Sequence, residues 1–188
     1  MTEADITTAL TLDETGERAD LLETLQQARA FLRFTVRDLT DDQARLTPTA
    51  SELSLGGLIK HVASTEEGWA RFVTEGPEAL GGDMDADVDY SSMPPEVLEQ
   101  FANGFKLTSD ETLAGVLEYY ADVAARTDEL IRTVDLDNTF PLPRAPWFAE
   151  GATRSARRTF THIAAETFQH AGHADIIRET IDGQKTQG

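Results

Sequence analysis

Three side chains with metal-binding chemistry stand at spacings that packed helices can bring together. Glu166 and His170 lie four residues apart in Glu166-Thr167-Phe168-Gln169-His170-Ala171-Gly172-His173, so on a helix one sits above the other and both can grip one ion. His61, in Ser54-Leu55-Gly56-Gly57-Leu58-Ile59-Lys60-His61-Val62, can reach across from a neighbouring helix. Two imidazole nitrogens and one carboxylate oxygen leave coordination positions open, and an open position is where a divalent cation holds water or substrate. The expected cofactor is therefore one divalent metal. Zinc suits the mixed nitrogen and oxygen set best, and nickel, iron, manganese or cobalt also fit, because ligand type alone selects weakly among first-row ions.

On a helical wheel at roughly 100° per residue, with Ile163 and Ile181 marking the buried face, His170 falls within about 20° of its centre and Glu166 within about 60°. His173 and His162 flank the stripe at about 80° and 100°, where they could support ligands, join them or line an entrance. Glu66 shares the direction of Ile59, Val62 and Val73, and a carboxylate there is costly unless something neutralises it. Two inward acids thus require protonation, a bridge to a base such as Arg157 or Arg158, or a cation. A fourth protein ligand, His173 or Glu66, would close the site and make the metal structural.

Other chemistry is excluded by what is missing. Asp83-Met84-Asp85-Ala86-Asp87 opens like a calcium loop, but Val88 stands where that loop needs glycine and Pro94 where it needs glutamate, leaving a solvated acidic loop. Paired Glu-x-x-His motifs, phosphate-binding glycine loops, His-Glu-x-x-His and Gly-x-Ser-x-Gly are absent, which removes di-iron, nucleotide and common hydrolase chemistry. Sixteen basic against thirty-four acidic residues give a net charge of −18, a field that repels phosphate backbones and anionic lipid, so neither nucleic acid nor a membrane surface is an expected partner. The acidic start Met1-Thr2-Glu3-Ala4-Asp5 and the lack of an eighteen-residue apolar run fit a soluble cytoplasmic protein. With no cysteine, any sulfur chemistry must use a thiol brought by a substrate.

Four amphipathic helices position these residues. From about Thr15 to Leu39, Leu21, Leu25, Ala28, Leu32, Val36 and Leu39 recur at helical spacing. Ser54 caps a second helix that turns Leu55, Leu58, Ile59, Val62, Trp69 and Val73 inward and stops at Gly76. Thr108-Ser109-Asp110-Glu111 reads as a capping box for a third, with Leu113, Leu117, Tyr120, Ala124, Thr127, Ile131 and Val134 on one stripe. Ser155 caps a fourth, which presents Phe160, Ile163, Ala174, Ile177 and Ile181 and ends at Gly183. No alternating pattern calls for strands. The connection over residues 76–107, with a short helix near Glu96 to Asn103, is long enough to let the second and third helices run parallel. The expectation is an all-α four-helix bundle with a long crossover, one domain over residues 1–188 with its core at about 17–183, and a frayed tail from Gln184.

The segment Ser54 to Ala63, followed by Glu66 and Trp69, resembles the second helix of the DinB/YfiT-like superfamily of metalloenzymes. The run His162-Ile163-Ala164-Ala165-Glu166-Thr167-Phe168-Gln169-His170-Ala171-Gly172-His173-Ala174-Asp175-Ile176-Ile177-Arg178-Glu179 is similar to its fourth helix, in the branch common in actinobacteria. The resemblance implies a bundle in up-down-down-up order with one divalent metal between helices. Many members use three histidines, whereas the mycothiol-dependent maleylpyruvate isomerase group uses histidine, glutamate and histidine, the set that His61, Glu166 and His170 match. It further implies a transferase acting on a small electrophile with a low-molecular-weight thiol, mycothiol or bacillithiol, whose thiolate the metal stabilises. Glu66, His162 and His173 then orient ligands or relay protons, and Trp147 and Phe148 stand where an entrance could be lined. The competing expectation is a non-catalytic, metal-stabilised protein that dimerises and serves as a stress-response binding module.

Overall fold

A computed structural model describes residues 15–83 and 94–186. In chain order these form α1 (Glu17–Phe34), a short α2 (Asp41–Arg45), α3 (Leu55–Glu75) with a 3-10 turn after it (Gly76–Leu80), α4 (Pro95–Asn103), α5 (Leu113–Thr133), β1 (Thr139–Pro141), β2 (Thr153–Ser155) and α6 (Ala156–Asp182). The long helices α1, α3, α5 and α6 make the bundle.

Named contacts fix their directions. Arg157, at the start of α6, pairs with Glu17 at the start of α1, while Arg178 near the far end of α6 donates to the carbonyls of Thr35 and Arg37 just past α1. These two helices run parallel. Lys60 early in α3 bonds Glu111 just before α5, Glu67 midway accepts from Tyr119 and Arg126, and Asn138 beyond α5 donates to the Val73 carbonyl. Hence α3 and α5 are parallel as well. Leu22 and Leu25 cluster with Trp69, Phe72 and Val73, and Leu32 and Val36 cluster with Leu55, Leu58 and Ile59, so α1 opposes α3. The order is up-down-down-up, and the long connection after α3 is what returns the chain to start α5 beside the start of α3.

A polar layer separates the two apolar clusters. Arg29, Glu66, Thr127 and Thr167 are all buried, one from each bundle helix. Thr127 and Thr167 satisfy their hydroxyls on the carbonyls four residues back, and the two charges satisfy each other.

Several local expectations change. α1 ends at Phe34, not Leu39: the chain continues in tighter turns through Arg37, and Asp38 at φ 58° is in the left-handed region, which breaks the helix. Thr108 and Glu111 do bond each other, but they form a turn ahead of α5, whose cap is Thr112 accepting from Gly115 N–H. Strands are present after all. Thr139, Phe140 and Pro141 pair antiparallel with Ser155, Arg154 and Thr153, too short a ladder to show an alternating pattern but enough to fix both ends of the loop before α6. The tail folds back, with Thr186 bonding Asp175 through its backbone N–H and hydroxyl. The short helix appears as α4. Of the acidic run 83–87 only Asp83 is described, bound to Arg144; the rest, like the amino-terminal segment read for targeting and the last two residues of the tail, lies outside the described residues. No described helix is long and apolar enough to cross a membrane.

Candidate metal centre

The seam between α3 and α6 gathers the candidate ligands. α3 is started by Ser54, whose hydroxyl accepts from Gly57 N–H. At Gly57 an added Cβ would lie 1.9 Å from the Phe105 carbonyl oxygen, so only glycine admits the backbone of the segment before α5 this close. Phe105 is thereby held over the next turn, where its ring stacks on His61 at 4.0 Å between centroids and 22° between planes. On α6, Ser155 accepts from Arg158 N–H, and from that cap Arg158, His162, Glu166 and His170 follow at four-residue steps along one side.

His61, Glu166 and His170 converge, with ligand atoms all within 4.8 Å of one another. His170 Nε2 lies 3.3 Å and His61 Nε2 4.0 Å from the same oxygen, Glu166 Oε1. The two imidazoles meet edge to face at 4.9 Å. Donors sharing a tetrahedral ion with bonds of about 2.0–2.2 Å stand roughly 3.3–3.5 Å apart; the group is near that size and slightly open. His170 Nδ1 is buried without a hydrogen-bond partner.

Charge suits a cation. Burial, and then the neighbouring His170, push His61 down to about 4 against the opposing pull of Glu166. Burial likewise lowers His170, with Glu166 opposing. Both rings are thus neutral near pH 7 and offer lone pairs beside the Glu166 carboxylate.

The remaining candidates go elsewhere. Glu66 is no part of the cluster: Arg29 donates to both its oxygens, Nε to Oε2 at 3.1 Å and Nη2 to Oε1, and spends Nη1 on Asp128 at 2.6 Å. The base that neutralises it is Arg29, from the opposite side of the bundle; Arg157 pairs with Glu17 and Asp137 at the surface. His162 packs edge to face on Trp69 at 4.8 Å, one turn from Glu166, and burial with the nearby Arg154 lowers its pKa. His173 is exposed, its ring 5.5 Å from that of His170. Among the described residues the converging group has three members.

Phe148 packs on Trp69 at 6.5 Å, and Trp147 is 63% exposed against Phe148. Arg154 lies over the Trp69 ring at 4.4 Å and over Phe148 at 5.6 Å. Sequence reasoning missed Phe105 at this seam; the Gly56-Gly57 pair early in a helix was the available sign of a close backbone approach.

Comparison with known proteins places this geometry. No curated protein matches the chain. A conserved protein of Enterococcus faecalis shares the fold at a TM-score of 0.64 and 15% identity, covering 91% of this chain and 100% of its own. YfiT from Bacillus subtilis, described as a probable metal-dependent hydrolase with an unusual four-helix bundle topology, superposes at 0.58 with 15% identity over 89% of this chain and 90% of its own. At that identity both speak for the fold. Residues 20–183 match the mycothiol-S-transferase family, a span that includes every bundle helix except the first turn of α1, and the chain belongs to that family.

Proposed function

We propose that this protein is a divalent-metal-dependent transferase that joins a low-molecular-weight thiol of the mycothiol or bacillithiol type to a small electrophile. The observation that supports this most is the three-member group His61, Glu166 and His170, two neutral nitrogens and one carboxylate on facing helices. Membership of the mycothiol-S-transferase family supports a thiol as the partner. Of the two candidates that could have closed the site, Glu66 is held by Arg29 and His173 is exposed and outside the converging group. A divalent ion on these three ligands would keep one net positive charge and an open position, which lowers the pKa of a thiol bound there and stabilises its thiolate.

The chain's own residues do the rest. Phe105 against His61, and Trp69 against His162, wall the seam with aromatic surface and limit water. His162, kept neutral by burial one turn before Glu166, can accept the thiol proton at a ring nitrogen.

The test uses cobalt-substituted protein. Mycothiol or bacillithiol should add a sulfur-to-cobalt absorption band and raise the melting temperature with thiol concentration, and conjugation to a model electrophile such as monochlorobimane should be metal-dependent. Glu166→Gln should lose all three responses. Cobalt spectra unchanged by either thiol, in protein shown to retain its metal, would overturn the thiol reading and leave the same centre to another substrate class.

A further inference from the structure

The α3/α6 seam does not end at the candidate ligands. Two turns further towards the start of α6 it reaches Arg158, and beside Arg158 the strand residue Arg154 lies over Trp69 and Phe148. Among the described residues neither arginine has a carboxylate within ion-pair distance, in a protein of net charge −18 where Arg29, Arg71, Arg126, Arg144, Arg157 and Arg178 are all paired. Arg154 Nη1 is moreover out of contact with solvent and without a hydrogen-bond partner. A half-buried guanidinium beside a second one, with no counter-charge, is an uncompensated cost in a folded domain. Burial and the neighbouring Arg158 both act to lower the Arg154 pKa, the sign expected of a cation without an anion.

We propose that Arg154, assisted by Arg158, is an anion-binding subsite for a carboxylate on the substrate whose reacting end lies at His61, Glu166 and His170. This rests on the transferase reading for the reacting end, but not for the anion itself. Geometry sets the ligand's length: Glu166 to Arg158 is eight residues, about 12 Å along the helix axis, so the reacting atom and the carboxylate stand on the order of 10 Å apart. Between them, Trp69 and His162 offer an apolar edge-to-face step on which a flat or saturated linker can lie. The subsite also explains how an acidic protein admits an anionic reactant. The carboxylate can belong to the thiol, as the malyl group of bacillithiol does, or to the electrophile.

The experiment begins with metal-free protein in a Trp147→Phe background, so that fluorescence reports Trp69. Malate should produce a saturable change, and Arg154→Gln should weaken it by about 10- to 100-fold, the loss expected when a charged hydrogen-bond partner is removed. Arg158→Gln should weaken it less, Arg154→Lys should keep part of it, and Arg144→Gln, whose residue is engaged with Asp83, should leave it unchanged. A melting curve for each variant separates lost binding from lost folding. No saturable change in the parent protein, or an Arg154→Gln variant within two-fold of it, overturns the subsite. In turnover, a higher KM for bacillithiol but not mycothiol in Arg154→Gln assigns the carboxylate to the thiol. A higher KM for an acid electrophile but not its methyl ester assigns it to the electrophile, and the absence of both changes in a protein that turns over would overturn the proposal. Malate binding through Arg154 in a protein that conjugates no thiol would leave the subsite standing and remove the transferase reading.

Discussion

Arg29 on α1 and Glu66 on α3 meet at mid-height in the bundle as a forked pair, with side chains 6% and 0% exposed. The pair sits between the two apolar clusters, level with Thr127 and Thr167, and ties the first helix to the helix that bears His61. Its charges hold Arg29 protonated well above its ordinary value despite burial.

Breaking one side of that pair is therefore expected to cost far more than removing both. Arg29→Met leaves the Glu66 carboxylate buried and unpaired and should lower unfolding free energy by about 3–5 kcal/mol. Arg29→Met combined with Glu66→Met should recover most of that loss. Denaturant unfolding of the two variants decides it; a single-variant cost below about 1 kcal/mol would mean water reaches the site.

Metal content is the next expectation. Protein purified without chelator should contain close to one divalent transition metal per chain, and a chelator should lower its melting temperature, because ions that bind only the folded state stabilise it. Elemental analysis finding none, with melting unmoved by added zinc or nickel, would count against the centre.

Variants should sort by position. His61→Ala, His170→Ala and Glu166→Gln each remove a converging donor and should weaken metal binding strongly. His162→Ala removes a ring packed on Trp69 and should cost about 10- to 100-fold at most, the scale of support around a ligand. If His162→Ala abolished binding while Glu166→Gln left it intact, the ligand set would have to be redrawn.

The centre was more legible in the sequence than its surroundings, for a physical reason. Glu166 and His170 announce each other through a four-residue step on one helix, and the apolar stripes of α3 and α6 turn His61 and His170 to a shared seam. Glu66 was recognisable as an anomaly, a carboxylate in an apolar stripe, yet its partner Arg29 lies thirty-seven residues away on a helix whose stripe gives no sign of a buried cation. Phe105 and Arg154 reach the seam from connections, where no periodicity fixes direction. The strands at Thr139–Pro141 and Thr153–Ser155 are three residues each, shorter than any pattern that alternation can reveal.

Acid should expose the neutral histidines. His61 titrates at about 4 in the folded chain against an ordinary value of 6.5, so between those values the unfolded chain binds a proton that the folded one refuses. Its contribution to stability is thus full above about pH 6.5 and is lost as pH falls towards 4; His170 and His162, also lowered, act in the same direction. In metal-free protein, melting temperature should fall across this window, and His61→Asn should flatten part of the fall. An identical pH profile for the variant would show that His61 is solvated.

Gly57 offers the sharpest test of how the centre is held. Helix propensity alone predicts that Gly57→Ala stabilises by about 1 kcal/mol. The Phe105 carbonyl, in the space a Cβ would take, predicts the opposite, because the segment before α5 must retreat by more than an ångström; the expected result is destabilisation by about 1–3 kcal/mol. The retreat should carry the Phe105 ring off His61, admit water and raise the His61 pKa towards 6.5, which proton NMR can follow in metal-free protein. Phe105→Ala should reproduce the pKa change without altering the start of α3. A Gly57→Ala protein that is more stable than the parent and titrates His61 unchanged would show that the close approach does not govern the position of the ring.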